Sequence, residues 1–262
     1  MEHNNIFGFI KFCNERLTNS NEYNIARVII SHFNNIKSVS QETIANEANI
    51  SVASVSRFIN KAGFDSFQDF KYKVEIYNKD TKMRRILEHT MRFMRTSLED
   101  MADNLYDDAI NNLHQTKLNL DLDKLKQISK RLKNSHSVMI IGDSHELNDF
   151  YTYQLDLLIN GIPSYLINVA ELEKAQINNL NQDDSILYLD MYEGWFSDGK
   201  RMFLQKMKER NVYIIAFCQE TSHLQDYADL IYVYGINQSN NNGYYSLPYL
   251  SRILSEIIYH NF

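Results

Sequence analysis

The pattern of apolar and polar positions changes about halfway along the chain. Up to residue 120, apolar side chains recur at helical spacing, as in 24–33, where Ile25, Ile29 and Ile30 would share one face. From residue 125 onward, short apolar runs rich in β-branched and aromatic residues alternate with helix-length segments. The runs cover 137–141, 164–167, 185–189, 212–217 and 230–234. Because they are apolar throughout, they predict a five-stranded parallel sheet flanked by helices.

Polar residues mark the ends of the short helices predicted in the first half. Ser40 and Ser51 each precede a helical apolar pattern, and each is predicted to cap the helix that follows. Gly63 stands where a helix C-cap is expected. A further helix is predicted to open at Ser66.

The connecting region is also predicted to be helical, since residues 78–120 contain no Gly or Pro. The basic run at 82–95 is either a helix face exposed to solvent or a helix whose basic side chains contact phosphates. The predicted domains are an all-α domain over 1–77, a helical linker over 78–110 and an α/β domain over 111–262.

Composition narrows the function classes. The chain has 262 residues, two cysteines and a net charge of −6, which excludes a disulfide framework or a multi-cysteine zinc site. Cys13 and Cys218 are expected to be buried, and no metal or cofactor is predicted. With no long apolar segment and no signal-like N-terminus, we expect a cytoplasmic protein without a membrane partner.

The strongest chemical signal lies in residues 40–70, where two short helices joined by a tight turn match a helix-turn-helix layout. In the second helix Val55, Phe58 and Ile59 would pack inward, leaving small residues and a basic edge outward. An arginine such as Arg57 can pair with guanine in the major groove, and small residues allow close approach. The candidate DNA-binding residues are Ser40, Gln41, Ser51, Ala53, Ser54, Ser56, Arg57, Asn60 and Lys61.

This segment resembles the N-terminal domain of the RpiR-type transcriptional regulators. The resemblance rests on Asn49 to Phe58 (NISVASVSRF), Lys61 to Phe64 (KAGF) and Phe67 to Lys71 (FQDFK), with Ser54 and Ala62 replacing the usual Thr and Leu. It implies sequence-specific binding to DNA. Residues 1–80 hold nine basic and nine acidic side chains, so the N-terminal domain has no net charge and should bind DNA weakly by itself. A homodimer or dimer of dimers on a palindromic operator is therefore expected.

The second half resembles the sugar isomerase (SIS) domain, the usual effector module of that family. The resemblance rests on the strand and turn ending at Gly142, on Gly161-Ile162-Pro163, on 223–230 and on Ser251-Arg252-Ile253. It implies a pocket for a phosphosugar, but the usual Gly-x-Gly-x-Ser turn is Gly142 to Glu146 (GDSHE) here. The family's Ser-x-Ser-Gly-x-Thr element corresponds to 190–195 (DMYEGW), where its hydroxyls are missing.

Three interpretations of this pocket stay open. It is vestigial and the domain only dimerises; it binds a cation, an amine or a neutral sugar; or the register is shifted, and Ser144 and Ser197 line a phosphosugar site. The candidate effector-binding residues are Gly142, Asp143, Ser144, His145, Glu146, Asp190, Tyr192, Glu193 and Trp195.

The sequence therefore predicts a transcriptional regulator of sugar or amino-sugar metabolism, sensing a phosphosugar through an altered pocket. The sequence shows no recognisable phosphate-binding motif that would orient a substrate. No catalytic residue is therefore assigned, and no enzyme activity is expected. The alternatives are a sugar-phosphate isomerase or binding protein that uses its N-terminal helices for assembly, and an interaction scaffold.

Overall fold

The structure is a computed structural model, and it describes residues 6–14, 20–76, 78, 97–169, 172, 179–190, 198–219, 223–234 and 242–260. The chain divides into two compact units, His3–Leu98 and Glu99–Phe262. The basic run at 82–95 lies outside the described residues. The boundaries of the predicted linker stay predictions.

The N-terminal unit is helical, as expected. Its described elements are α1 (Ile6–Asn14), α2 (Ser20–Ser31), a 3₁₀ segment (Phe33–Ser38), α3 (Gln41–Ala48), α4 (Val52–Lys61) and α5 (67–76).

The predicted caps of these helices are confirmed. The Ser40 hydroxyl accepts the amide of Thr43, and the Ser51 hydroxyl accepts the amide of Ser54. Gly63 ends α4 with a φ of 93°, a left-handed conformation that suits glycine. The ends of these helices therefore follow from local side-chain chemistry.

The core of this unit is built from α1 to α5 together. Val55, Phe58 and Ile59 of α4 are all buried, as predicted. The prediction for α2 is wrong at Ile30, which is 45% exposed, whereas Val28 is buried. The buried face of α2 contains Ile25, Ala26, Val28 and Ile29, so the predicted face is confirmed at Ile25 and Ile29 and is wrong at Ile30.

The C-terminal unit begins with α6 (Leu98–Leu118) and α7 (Leu122–Lys133) and contains a parallel sheet with the described strand order β2-β1-β3-β4-β5. Its strands are β1 (Val138–Gly142), β2 (Ser164–Asn168), β3 (Ser185–Asp190), β4 (Tyr213–Cys218) and β5 (Leu230–Val233). Its other helices are α8 (Ser144–Asn148), α9 (Tyr151–Ile159), α10 (Asp198–Glu209) and α11 (Asn242–His260). The predicted sheet is confirmed.

Helices cover both faces of this sheet. Apolar residues of α7, α9 and α11 pack in one cluster with one face of the strands, and α10 packs against the other. Both cysteines are buried and unbridged, as predicted. No described helix combines the length and the apolar character needed to cross a membrane.

The strand order reverses direction between β1 and β3, which lie side by side. In open parallel sheets, ligands bind outside the carboxyl ends of the strands at such a switch point. Gly142 ends β1 and Asp190 ends β3. The fold thus brings Gly142 and Asp190, the first residue of each predicted effector segment, to the same edge of the sheet.

Candidate functional sites

The first candidate site is the outer surface of α4 together with the start of α3. Ser51, Ala53, Arg57, Asn60 and Lys61 are exposed, as expected for side chains that read a groove. Ser54 and Gln41 are partly exposed, and Ser40 is exposed at the cap of α3. The inward packing of the apolar face of α4 fixes which side chains point outward.

Hydrogen bonds within the unit hold several of these side chains in place. The guanidinium of Arg57 donates to the hydroxyl of Ser54 over 3.1 Å, and that oxygen lies 2.9 Å from the hydroxyl of Ser51. The Lys61 ammonium lies 2.6 Å from the carboxylate of Glu22 on α2. Since these contacts are solvent-exposed, each is weak enough to exchange for a contact with DNA.

Gln41 connects the two helices of the predicted helix-turn-helix. Its side-chain amide donates to the carbonyl of Val52 over 3.2 Å and to the hydroxyl of Ser56. Ser56 is therefore held between α3 and α4, and it sits at the side of the outward surface. Gln41 has a positioning contact that sequence spacing alone does not reveal.

A polar recess of about 310 Å³ adjoins the start of α3. Lys71 of α5 lines this recess and donates to the carbonyl of Val39 over 2.9 Å. Sequence reasoning did not assign Lys71, because it lies outside the two helices of the motif. The recess also holds Glu42, whose pKa is lowered by backbone hydrogen bonding and by the hydroxyl of Ser40.

The second candidate site lies at the carboxyl ends of β1 and β3. Glu146 of α8 is only 2% exposed, and its Oε2 accepts the backbone amide of Asp143 over 2.7 Å. The carboxylate lies so close to Gly142 that a Cβ at that position would stand 2.7 Å from Oε2. Glycine at the end of β1 therefore leaves room for the carboxylate of Glu146, which folds back over the turn.

Asp190 occupies the end of the neighbouring strand. It is 4% exposed, and its Oδ2 lies 2.5 Å from Nε2 of His223. The hydroxyl of Tyr234 donates to the backbone carbonyl of Asp190 over 3.5 Å. Asp190 therefore connects the end of β3 to His223, which precedes β5, and to Tyr234, which follows it.

The phenol of Tyr188 on β3 is close enough to these carboxylates for their charges to act on it. Its hydroxyl is buried and has no hydrogen-bond partner among the residues that the structure describes. Burial raises the pKa of Tyr188 well above its ordinary value, and the charges of Asp190, Glu146 and Asp143 raise it further. The raised pKa means that this phenol keeps its proton as a hydrogen-bond donor.

The structure brings only part of the predicted effector set together. Gly142, Asp143, Glu146 and Asp190 meet at the strand ends, whereas Tyr192, Glu193 and Trp195 lie outside the described residues. Ser144 and His145 belong to α8, and their side chains are not among those described. Within the described part of the chain, no three His, Cys, Asp or Glu side chains are arranged to hold a metal ion.

Comparison with known proteins identifies the N-terminal unit. Residues 6–81 match the model of the helix-turn-helix domain of the rpiR family. This segment is an rpiR-family helix-turn-helix domain. The rpiR-type domain contains the whole of the first candidate site, from Ser40 to Lys61.

A curated relative extends the similarity in sequence. An uncharacterised HTH-type transcriptional regulator of Clostridium perfringens is 32% identical over 124 residues. The aligned segment spans 46% of this chain and 43% of the relative. The similarity therefore covers less than half of either protein.

Solved structures share the fold of the chain beyond the rpiR-type domain. The Vibrio vulnificus NanR protein, complexed with ManNAc-6P, aligns over 97% of this chain and 92% of its own with a TM-score of 0.52 and 12% identity. The sugar isomerase domain of an RpiR transcription factor from Sphaerobacter thermophilus aligns over 61% of this chain and 90% of its own, at a TM-score of 0.51 and 17% identity. At these identities the likeness shows the fold, so the C-terminal unit has the fold of a sugar isomerase domain.

Proposed function

We propose that the chain is a sequence-specific DNA-binding regulator of transcription. The observation that carries the proposal is the outward surface of α4, where Ala53, Arg57 and Asn60 are exposed on a helix capped by Ser51. Such a helix fits the major groove, where small residues approach the bases and an arginine pairs with guanine O6 and N7. The match to the rpiR-type domain supports the same function.

A binding titration on DNA from upstream of the gene tests the proposal. Arg57→Ala should weaken specific binding about 10- to 100-fold, since a bidentate arginine–guanine pair contributes about 1 to 3 kcal/mol. Arg27→Ala is the matched control, because it removes the same charge from the exposed face of α2. Equal affinities for the wild type, Arg57→Ala and Ser54→Ala would contradict the proposal.

The regulator acts as a homodimer on a two-fold operator. A DNA-binding domain without net charge has little non-specific affinity for DNA. Two such domains in one dimer bind together and compensate for that weakness. The surface that fits a second copy is the outer face of α9, where four large apolar side chains lie at helical spacing. These are Tyr151, Leu155, Leu158 and Ile159, between 47 and 72% exposed.

The neighbouring edge strand extends this α9 face. Tyr165 of β2 is 53% exposed beside it. Together the five side chains offer on the order of 500 Å² of apolar surface, which can form the core of an interface needing about 800 Å² per partner. An uncharged apolar face complements itself across a two-fold axis, which favours a second copy as the occupant.

Sedimentation velocity at micromolar concentration tests the α9 face. The double change Leu155→Asp and Ile159→Asp should convert the dimer to a monomer and weaken binding to a two-half-site operator. Met202→Asp serves as the control, because Met202 is 73% exposed on α10, which packs on the other side of the sheet. A monomeric wild type, or a dimer that survives the double change, would refute this interface.

The C-terminal unit serves as the effector module, in the cytoplasm, and changes DNA affinity when a sugar-related ligand binds. A second function, isomerisation of a sugar phosphate, is less well supported, since Glu146 and Asp190 are both engaged in internal contacts. Turnover of a hexose or pentose phosphate that disappears in Glu146→Gln would favour the isomerase instead.

A further inference from the structure

The polar recess of about 310 Å³ at the start of α3 lies beside the surface of α4 that is expected to read DNA. Gln41 connects the two features, because it lines the recess and donates to Val52 and Ser56 of α4. In helix-turn-helix domains the recognition helix enters the major groove, and the helix before it crosses the sugar–phosphate backbone. The recess therefore lies where a DNA backbone is expected to pass.

Lys71 of α5 brings a positive charge to this recess. Its ammonium group donates to the carbonyl of Val39 over 2.9 Å and lies 5.7 Å from the centre of the Phe67 ring. An ammonium group has three N–H donors, and no carboxylate among the described residues pairs with this one. The two contacts hold the ammonium group in place without neutralising its charge.

The other lysines that the structure describes between residues 20 and 76 are each paired with a carboxylate. The pairs are Lys37–Glu75, Lys61–Glu22 and Lys73–Asp69, with nitrogen–oxygen distances of 2.8, 2.6 and 2.9 Å. Their charges are already compensated within the domain. Among the described lysines of this range, Lys71 is therefore the one whose charge is available to an added anion.

Neutral donors surround Lys71 in the recess. Gln68 lines the recess three residues before Lys71 on α5, so the two side chains share a helix face, and Gln68 is exposed. The hydroxyl oxygen of Ser66 accepts the amide of Asp69 over 3.0 Å, and its hydrogen remains a donor. Lysine, hydroxyl and amide side chains are the usual contacts of DNA phosphate oxygens.

One carboxylate lines the same recess. Glu42 in the first turn of α3 is exposed, and hydrogen bonds from the backbone and from the hydroxyl of Ser40 lower its pKa, so it is charged at neutral pH. Its charge repels a phosphate placed beside Lys71. Removal of the Glu42 charge should therefore strengthen DNA binding, whereas removal of the Lys71 charge should weaken it.

We propose that this recess binds a backbone phosphate of the DNA, with the Lys71 ammonium as the charged contact and with Ser66 and Gln68 donating to the phosphate oxygens. The inference rests on the proposed binding of DNA and adds a contact from α5 to the surface of α3 and α4. A contact of this kind raises the affinity for every DNA sequence and reads none.

The salt dependence of DNA binding by the full chain tests the proposal on two duplexes, DNA from upstream of the gene and a scrambled sequence of equal length. Each neutralised phosphate contributes about 0.9 to the slope of log affinity against log salt concentration, so Lys71→Gln should flatten the slope by about one. The affinity should fall about five- to tenfold at 0.1 M salt, equally on both duplexes. Arg57→Ala should instead weaken binding to the upstream DNA more than to the scrambled DNA.

Three further variants serve as controls. Lys73→Gln removes the same charge from the same helix, but Lys73 is paired with Asp69, so the slope should equal that of the wild type. Lys71→Arg keeps the charge and should keep the slope. Glu42→Gln should strengthen binding to both duplexes about two- to fivefold at 0.1 M salt. The Tm of Lys71→Gln reports separately on its lost contact with Val39.

A slope for Lys71→Gln equal to that of the wild type would overturn the inference and leave the proposed DNA binding intact. A loss in Lys71→Gln that is confined to the upstream DNA, or weaker binding in Glu42→Gln, would also overturn it. If the wild type bound neither duplex, the proposed function itself would be refuted, and this inference with it.

Discussion

The two ends of the parallel sheet both bury polar side chains, and they differ in how those side chains are satisfied. At the amino end, Asp184 accepts the hydroxyl of Ser137 over 2.7 Å, the amide of Asn181 over 3.0 Å and Nδ1 of His136 over 3.2 Å. Beside it, Arg131 donates to Ser185. At the carboxyl end, the hydroxyl of Tyr188 has no partner within the described part of the chain.

The remaining contacts at the amino end complete a closed network. The hydroxyls of Ser135 and Ser185 lie 2.7 Å apart, and the guanidinium of Arg131 lies over the ring of Tyr213 at 4.6 Å. A fully satisfied buried network rigidifies a fold, whereas a buried hydroxyl without a partner costs the folded state free energy. The amino end therefore stabilises the fold, whereas at the carboxyl end the hydroxyl of Tyr188 finds no partner among the described residues.

The largest expected loss of stability follows from a change at the amino end of the parallel sheet. Asp184→Ala should lower the free energy of unfolding of the C-terminal unit by about 2 to 4 kcal/mol, because it strips a buried acceptor from several donors. Asp183→Ala is the matched control, since Asp183 is exposed, and should stay within about 0.5 kcal/mol. Urea denaturation measures both; equal stabilities would mean that the network is not structural.

The carboxylate of Asp184 also makes the stability of the C-terminal unit depend on pH. Burial acts to raise the pKa of Asp184, but the hydrogen bonds from Ser137, Asn181 and His136 outweigh it, so the pKa lies below its ordinary value. The charged form is favoured in the folded state, so its stabilisation is present above the unfolded pKa and is lost as pH falls through the folded pKa. The stability gap between wild type and Asp184→Asn should therefore narrow below about pH 4; a constant gap down to pH 2 would contradict this.

The sequence predicts best those features of the fold that depend on neighbouring residues alone. The caps at Ser40 and Ser51 and the left-handed Gly63 follow from single residues beside a helical pattern, and they are confirmed. The strands follow from continuous apolar runs. The inward face of α2 was misjudged at Ile30, because adjacent apolar residues such as Ile29 and Ile30 fit two neighbouring helical faces equally well.

The strand-end site was predictable only in part. Asp190 comes directly after the apolar run 185–189, and Glu146 follows the run 137–141 by five residues, so the place of both at the carboxyl edge follows from strand order. The sequence predicts only a core aromatic side chain at Tyr188, and nothing in its spacing shows that its hydroxyl has no partner among the described residues. His223 is 33 residues from Asp190 in the chain, so their contact depends on tertiary structure.

A smaller loss of stability is expected from a change at the turn after β1. Gly142→Ala would place a Cβ 2.7 Å from Oε2 of Glu146 and 3.2 Å from Cβ of Leu189. It should cost about 1 to 2 kcal/mol, because the carboxylate must leave the amide of Asp143 and the strand must shift. Combining it with Glu146→Ala should cost less than the sum of the two single changes in urea denaturation; strict additivity would mean that the carboxylate does not fill the turn.

The smallest expected effect is that of Tyr188→Phe, and its comparison with Ser137→Ala distinguishes the two ends of the sheet. Tyr188→Phe and Ser137→Ala each remove one buried hydroxyl, but only the hydroxyl of Ser137 donates to a described protein group, the carboxylate of Asp184. Ser137→Ala should therefore lower the free energy of unfolding by about 1 to 3 kcal/mol, whereas Tyr188→Phe should leave it unchanged within about 0.5 kcal/mol or raise it. Calorimetry of the ligand-free chain makes the comparison. A loss in Tyr188→Phe as large as that in Ser137→Ala would mean that the phenol stabilises the unliganded fold, and the carboxyl end would then resemble the amino end.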